Sequence, residues 1–346
     1  MQYSNIVMAK MRDEYILSFN EKWTSFLNGF NMKYTSSKQL NIGNRIRPYL
    51  VLWGFALGKE SFTSDSFDFC AELSISFEGI HKASVIIDDI VDGDNKRRGE
   101  KCMHVEYGEY EAIFFAVCLL SKSINNINMF LQNHENVSLR CSAVTMLCDI
   151  IFNMCTGALK EISTDERQRK NLKHIQEIIQ LETVSLLKNC LLIGFLASGS
   201  RHSSKELLIK NIGQKCGYIF QVANDLEPFC NVDHVIKHKG DLNSDVLRSR
   251  KNIVIPYLYA TASTEDKKNI DTYLKQSNFA GLMDLFNKYQ IMQIIISNID
   301  DLFDSITSLI LDLEHCFITQ NKLLCLSFSS FIEYLKEYYL SILGKQ

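Results

Sequence analysis

Helix breakers are scarce in this chain. Only three of its 346 residues are proline and 16 are glycine, so long stretches run without a residue that would end a helix, which predicts an all-α fold. The three prolines, Pro48, Pro228 and Pro256, each follow a charged or polar segment, where a helix is expected to begin or end. An excess of charge is also missing. A net charge of −3 excludes the basic stripe of a nucleic-acid binder. No stretch reaches 18 uninterrupted apolar residues, which predicts no transmembrane segment. The opening Met-Gln-Tyr-Ser lacks the basic and apolar regions of a signal peptide. No Cys-x-x-Cys pair occurs among the eleven cysteines. Many, such as Cys118, Cys148 and Cys190, sit inside apolar runs and read as small hydrophobes in a reducing compartment. The expectation is a soluble cytoplasmic protein.

What is present is helical patterning. One or two helices are expected over 1–40, with a polar joint near Thr35-Ser-Ser-Lys38. Gly43 to Pro48 reads as a turn that opens a helix running through Trp53. A long helix is expected from about Phe69 to Asp92, after a polar joint and before a loop from Gly93 to Gly99. Further helices are expected over roughly Glu111–Asn126, Cys141–Glu161, His174–Ser198 and Glu206–Glu227. Phe229 to Ser249 is the longest irregular stretch, and such a loop is usually functional or disordered.

Chemistry is concentrated at Asp88-Asp89-Ile-Val-Asp92, followed by Lys96-Arg97-Arg98-Gly99. Positions four apart share a helix face, so Asp88 and Asp92 point together with Asp89 beside them. Such carboxylates repel one another unless something positive sits between them. Mg²⁺ binds through one or two carboxylates plus substrate phosphates, and arginines add forked hydrogen bonds to a diphosphate. The bland alternative is a solvated helix face. The apolar run Ala83-Ser-Val-Ile-Ile87 leading into the acids argues against it, because charge on such a helix faces a cavity or the interior. A second acidic element, Asn224-Asp225-Leu226-Glu227, follows the apolar-aromatic run 218–222. Two such elements suggest two walls of one metal–diphosphate cavity, with Asp88, Asp89, Asp92, Asn224, Asp225 and Glu227 as candidate ligands. Arg45 and Arg47 stand at a helix start, where cations are mildly unfavourable. A phosphate between them would explain their position.

Together these segments resemble the trans-isoprenyl diphosphate synthases, or polyprenyl synthetases, over roughly Gly43 to Ala260. Gly43-x-Arg45-x-Arg47-Pro48 resembles the family's Gly-Lys-Arg-x-Arg-Pro turn. His81, seven residues before Asp88, matches the family's histidine on the isopentenyl side. Asp88, Asp89 and Asp92 match the first aspartate-rich motif in its short form, and Arg97-Arg98-Gly99 matches the segment after it. Phe220-Gln221 with Asn224-Asp225 resembles the region of the second motif. Lys239-Gly240, Asp245 and Lys251, ahead of Pro256, resemble a later Gly-Lys and Lys-x-x-x-Pro segment at shifted spacing. The resemblance implies a single all-α bundle over 1–346 around a deep apolar cavity, with Mg²⁺ as cofactor. The implied reaction transfers an allylic prenyl group to isopentenyl diphosphate. Asp88, Asp89, Asp92, Arg97, Gln221 and Asp225 would serve the ionising end. Arg47, His81 and Arg98 would hold isopentenyl diphosphate, with Arg45, Lys239 and Lys251 as further phosphate ligands. Ala83 and Ser84, both small, would line a product tunnel above a floor at Phe77. Such depth suits about fifteen to twenty-five carbons, at roughly 0.8 kcal/mol per buried methylene. A homodimer is also implied.

The chain departs from the family pattern at several positions. Asn44 replaces the lysine of the first turn, and Glu182-Thr183 replaces a Lys-Thr pair on the allylic side. Asn224 and Pro228 replace two aspartates of the second motif. Ala158 and Val117 replace a glutamine and an aspartate. Three functions stay open: chain elongation, a terpene-synthase-like cyclase or transfer to another acceptor, and a non-catalytic subunit of an active synthase. Asn224-Asp225-Leu226 resembles the start of the cyclases' Asn-Ser-Glu motif, which favours the second. The intact first motif argues against the third.

Overall fold

Scarce breakers translate into helices up to 29 residues long. The computed structural model describes residues 2–58, 64–200, 203–231, 235, 251–315 and 332–341. In chain order the helices are α1 (Gln2–Asn28), α2 (Lys38–Asn41), α3 (Ile46–Gly58) and α4 (Ser64–Asp92). A two-stranded hairpin of β1 (Lys96–Arg97) and β2 (Glu100–Lys101) follows, then α5 (Met103–Tyr107), α6 (Glu109–Phe130) and α7 (Val137–Ile162). Next come α8 (Leu172–Ile179), a π-helical turn at Gln180–Val184, α9 (Ser185–Ala197) and α10 (Ser203–Cys230). The described chain resumes with α11 (Val254–Thr261), α12 (Thr264–Lys275), α13 (Phe279–Lys288), α14 (Ile291–His315) and α15 at 332–341.

Three packings place the site. Helix α3 lies along α9, and their contact is closed by a reciprocal pair of glycines. A Cβ on Gly54 would run into the Leu191 carbonyl, and one on Gly194 into that of Val51. Helix α4 lies along α6 and against α1. On α1, Tyr15, Phe19, Trp23, Phe26 and Leu27 recur at helical spacing and are buried together. The Tyr15 hydroxyl donates to the Pro48 carbonyl at 2.9 Å and lies 2.7 Å from the Ser74 hydroxyl. That buried link ties α1 to the first turn of α3 and to the middle of α4.

Most expected helices are present, usually longer at both ends, because caps and tertiary packing extend them past the sequence signals. Pro228 does not end its helix; α10 continues through it to Cys230, since only the last turn lacks a hydrogen bond. The loop expected at 93–99 contains a hairpin instead. Arg98 and Gly99, at φ 55° and 82°, form its two-residue turn, with the paired left-handed backbone that joins twisted strands. The stretch 232–250, apart from residue 235, lies outside the described residues, and with it Lys239, Gly240, Asp245, His234 and His238. The expectation of no membrane-length helix needs correction. Three helices, Glu109–Phe130, Val137–Ile162 and Leu172–Ala197, are long and apolar enough to cross a membrane by length and composition. Single polar residues interrupt each run without making the segment polar on average. In Leu172–Ala197 the apolar surface is mostly buried within the protein, whereas in the first two most of it is not.

Candidate active site

Carboxylates gather where helices end. Asp88, Asp89 and Asp92 close α4, whose last turn holds no basic residue, at the negative end of its dipole. Glu161 stands one residue before the end of α7, and Glu182 sits in the π-helical turn, a distortion frequent at functional sites. Gly157 makes room for it: a Cβ there would stand 2.5 Å from Glu182 Cγ. Lys251, just ahead of α11, enters this group. Its Nζ lies 2.6 Å from Glu182, 3.0 Å from Glu161 and 3.9 Å from Asp88. Burial works against the Lys251 charge, but Glu182, Asp88 and Glu161 outweigh it and hold the ammonium well above its ordinary range. Burial, then Asp88, pushes Asp92 up to about 8. Burial also raises Glu182 to about 7 despite Lys251. The site thus carries more negative charge than it can comfortably hold.

Asp89 is placed differently from its neighbours. It is fully buried, with one oxygen taken by Arg97 Nε and the other by the Gln39 amide. Gln39 is held in turn by the Met103 N–H, which donates to its Oε1 at 2.9 Å. Asp89 therefore anchors Arg97, whose Nη2 reaches Asp88 at 3.4 Å and Asp94 at 3.9 Å. Asp225 is likewise engaged by the protein. Its carboxylate accepts from Gln221 Nε2 at 2.7 Å and from the Ile253 N–H at 2.8 Å, and its carbonyl accepts from Asn252 at 3.0 Å. Thr183 donates to Gln221 at 2.6 Å. This buried chain fixes the backbone that carries Lys251, so Gln221 and Asp225 act at one remove. Asn224 accepts from the Tyr338 hydroxyl at 3.3 Å, and half-buried Glu227 faces the same tyrosine.

A cationic group gathers beside α4, one to two turns before the acids. Arg45 is held by the protein. It is buried, bonded to Glu78 at 2.8 Å and to the Asn41 carbonyl at 2.9 Å, with its guanidinium 5.3 Å from the Phe19 ring and 5.9 Å from that of Trp23. Arg47 is different: its Nε is buried without a hydrogen-bond partner. Burial, then Arg47, Lys82 and Arg98, hold the His81 imidazole well below its usual range and therefore neutral. Arg98 stands at the hairpin tip beside Gly43, where a Cβ would lie 2.8 Å from its Nη1.

The tunnel residues divide by helix phase. Ser76 accepts from Asn126 of α6 at 3.5 Å, and Ala83, two turns further on, shares that face. Ala83 is therefore fully buried against α6 rather than beside the acids. Ser84 shares the face of Asp88 and Phe77, and Phe77 is fully buried below it. A cleft of about 670 Å³ between α8, α10 and α14, lined by Gln176, Tyr218 and Leu309 among others, contains none of the candidate residues.

Sequence reasoning missed Gln39, Lys82, Glu161 and Tyr338. Glu161 had one signal, an acid at the end of an apolar helix; the others had none, since their partners are distant in sequence. Tyr338 stacks on Phe220 with centroids 5.5 Å apart and brings α15 over the site.

The residues present suit a divalent cation on one side. Asp88 and Asp92 offer hard oxygen donors whose mutual repulsion a cation would relieve. The second wall offers an amide and a proline in place of carboxylates. Among the described residues no three carboxylate, histidine or cysteine groups form a ready-made cage.

A sequence model of the Polyprenyl synthetase family matches residues 32–291. The short chain isoprenyl diphosphate synthase of Methanocaldococcus jannaschii is 25% identical over 264 residues, 75% of this chain and 76% of that protein. The geranylgeranyl pyrophosphate synthase of Geoglobus acetivorans is 26% identical over 213 residues, 62% of this chain and 63% of that protein. The geranylgeranyl pyrophosphate synthetase structure from Pyrococcus horikoshii matches with a TM-score of 0.77 at 19% identity, over 96% of this chain and 99% of that one. That of Corynebacterium glutamicum geranylgeranyl pyrophosphate synthase, with isoprenyl diphosphate and magnesium, gives 0.75 at 16% identity, over 96% and 99%. These structural likenesses speak to the fold. The family match spans the first turn, both acidic elements and Lys251, and with it the chain belongs to the polyprenyl synthetase family of prenyltransferases.

Proposed function

We propose that the protein is a Mg²⁺-dependent trans-prenyl diphosphate synthase that adds isopentenyl diphosphate to an allylic prenyl diphosphate. One observation carries this reading. Helix α4 runs past two charge groups of opposite sign: it carries the acids at 88–92, and a turn or two earlier its Lys82 meets Arg47 of α3 and Arg98 of the hairpin tip. An elongating enzyme needs places for two diphosphates, one shared with metal and one held by cations alone. A cyclase needs only the first. Asp88 and Asp92 would hold Mg²⁺, with Glu161 and Glu182 close by. Bound Mg²⁺ supplies positive charge to the departing diphosphate.

The chain's own residues do the rest. Arg97, fixed by Asp89, presents its guanidinium beside Asp88. Lys251 sets a second permanent cation at the same place. In the reaction the allylic C1–O bond breaks and its electron pair leaves with diphosphate. The π bond of isopentenyl diphosphate forms the new carbon–carbon bond and leaves a cation, which is quenched when the adjoining carbon gives its proton to the departed diphosphate. Fixed charges of this kind stabilise the developing ion pair without reorganising. Ser84 and Phe77, on the same side of α4 as Asp88, would set the depth available to the growing chain, suited to about fifteen to twenty-five carbons.

Oligomeric state and compartment follow from other features. On α7, Cys141, Thr145, Cys148, Phe152, Cys155, Leu159 and Ile162 alternate at spacings of four and three, and all are exposed. Tyr110, Phe114 and Val117 are exposed on the neighbouring α6. An uncharged stripe at that spacing is a seam for helix pairing, which supports a homodimer. Light scattering should show a dimer for the wild type and a monomer for Phe152→Asp. A wild-type monomer ends the idea. The nine described cysteines carry free thiols, which supports a reducing compartment such as the cytoplasm.

The deciding experiment incubates purified protein with Mg²⁺, labelled isopentenyl diphosphate and geranyl, farnesyl or geranylgeranyl diphosphate. Longer diphosphates that require isopentenyl diphosphate support the proposal. Hydrocarbon formed without it would mean a cyclase. No turnover of any substrate would mean a non-catalytic subunit.

A further inference from the structure

We infer that the Lys82 ammonium is a ligand of the isopentenyl-side diphosphate, supplying from α4 a cation that position 44, an asparagine, does not. The inference rests on the proposed two-diphosphate reading and names a residue within it.

Location comes first. Lys82 is 5% exposed, and its Nζ donates to the carbonyls of Gln39 at 3.0 Å and Ile42 at 2.7 Å. It stands 3.7 Å from the point a Cβ on Gly43 would occupy, the point Arg98 Nη1 approaches to 2.8 Å. Two cations thus converge over a residue that has no side chain.

Charge comes next. Among the described residues Lys82 and Arg98 each act on the other and on Arg45 and Arg47, and Glu78 is the carboxylate that faces all four. Glu78 is already bonded to Arg45 at 2.8 Å. His81, neutral, adds no counter-charge, and Tyr338 on α15 faces Arg47 and Arg98 as a neutral phenol. Four cations against one carboxylate, largely out of water, form an arrangement that repels itself unless an anion is bound. A multiply charged diphosphate is such an anion.

A further observation marks the same place as prepared for a ligand. Arg47 keeps a buried Nε without a hydrogen-bond partner. The competing explanation is that Lys82 merely caps the end of α2. A neutral amide would satisfy those carbonyls equally well without adding charge to a cationic group. Lysine is a poor choice there unless its charge is used.

The test uses full-length protein and calorimetric titration of isopentenyl diphosphate, with geranylgeranyl diphosphate plus Mg²⁺ as the control ligand. Lys82→Gln keeps a donor for the carbonyls but removes the charge. It should weaken isopentenyl diphosphate binding about tenfold or more, the scale of one charge-assisted hydrogen bond, and leave the control within about twofold. Adding Asn44→Lys to Lys82→Gln should restore most of the lost affinity. Burial, Arg45, Arg98 and Arg47 bring Lys82 down to about 7. Isopentenyl diphosphate affinity should therefore weaken as pH rises above neutrality in the wild type and stay flatter in Lys82→Arg. If the folded Lys82→Gln protein binds isopentenyl diphosphate as the wild type does, Lys82 is only a cap and the inference is overturned. If the wild type binds the control ligand but not isopentenyl diphosphate, the two-diphosphate reading fails and takes the inference with it.

Discussion

The acids at the end of α4 and those at the end of α10 are similar on paper and different in place. Asp88 at the end of α4 has a side chain 43% exposed, facing Lys251 and Arg97. Asp225 at the end of α10 is 7% exposed, and its oxygens are engaged by Gln221 and the Ile253 N–H. One wall presents charge to a ligand; the other spends its charge on holding the chain that carries Lys251. The same division recurs within the first motif, where Asp89 is buried with both oxygens bonded, to Arg97 and Gln39, while Asp88 is part-exposed and meets Arg97 at 3.4 Å and Lys251 at 3.9 Å. A carboxylate acts on a ligand only where the fold has left its oxygens uncommitted, and similar motifs do not guarantee that.

The sharpest way to break this contrast is to remove each acid and follow Mg²⁺ dependence. Asp88→Ala or Asp92→Ala should cost about a thousandfold in turnover, the scale of losing a principal electrostatic stabiliser, and should shift the Mg²⁺ midpoint upward. Asp225→Ala should lower turnover about tenfold through a displaced Lys251, with the Mg²⁺ midpoint unmoved. An equal midpoint shift for Asp92→Ala and Asp225→Ala would make the two walls equivalent and dissolve the distinction. Removing the cation between the walls comes next. Lys251→Met leaves Glu182, Glu161 and Asp88 facing one another and should cost about 3–5 kcal/mol in urea unfolding. Added Mg²⁺ should recover part of that loss, and an unchanged unfolding midpoint would show that Lys251 is dispensable. Gln39→Leu sharpens the division inside the first motif. It leaves a buried Asp89 oxygen without its amide donor and should cost about 1–3 kcal/mol, while raising the KM for the allylic substrate through a looser Arg97. A loss of stability with KM intact would confine Gln39 to structure. The smallest effect belongs to the tunnel. Ser84→Phe should shorten the product by about one five-carbon unit. Ala83→Phe, on the face packed against α6, should lower stability instead, and the reverse pattern in product analysis would show the helix phase has been misassigned.

The helices were legible because the chain has few residues that could stop them. The first motif was legible because helical periodicity alone brings Asp88 and Asp92 together. Arg97 and Arg98 were legible as a pair but not in their roles, which depend on a hairpin turn whose left-handed residues leave only a glycine as signal. The partners of Asp89 and Asp225 were not legible for one reason: periodicity says which way a side chain points, not which distant donor will meet it. Gln39 lies fifty residues from Asp89, and Ile253 lies 28 from Asp225. The partners of Arg45 were hidden in the same way, because Glu78 and the Phe19 and Trp23 rings lie on other helices.

From the amino-acid order alone come the all-α class, the acidic end of α4 and the cations that follow it, since each depends on local propensity or on spacing within one helix. Tertiary structure decided which carboxylates keep their oxygens for a ligand, that Lys251 joins Glu161 and Glu182, and that Lys82 reaches the Gly43 turn. Those outcomes depend on buried charges finding partners across the bundle, and desolvation makes such pairing obligatory without writing it into any one segment.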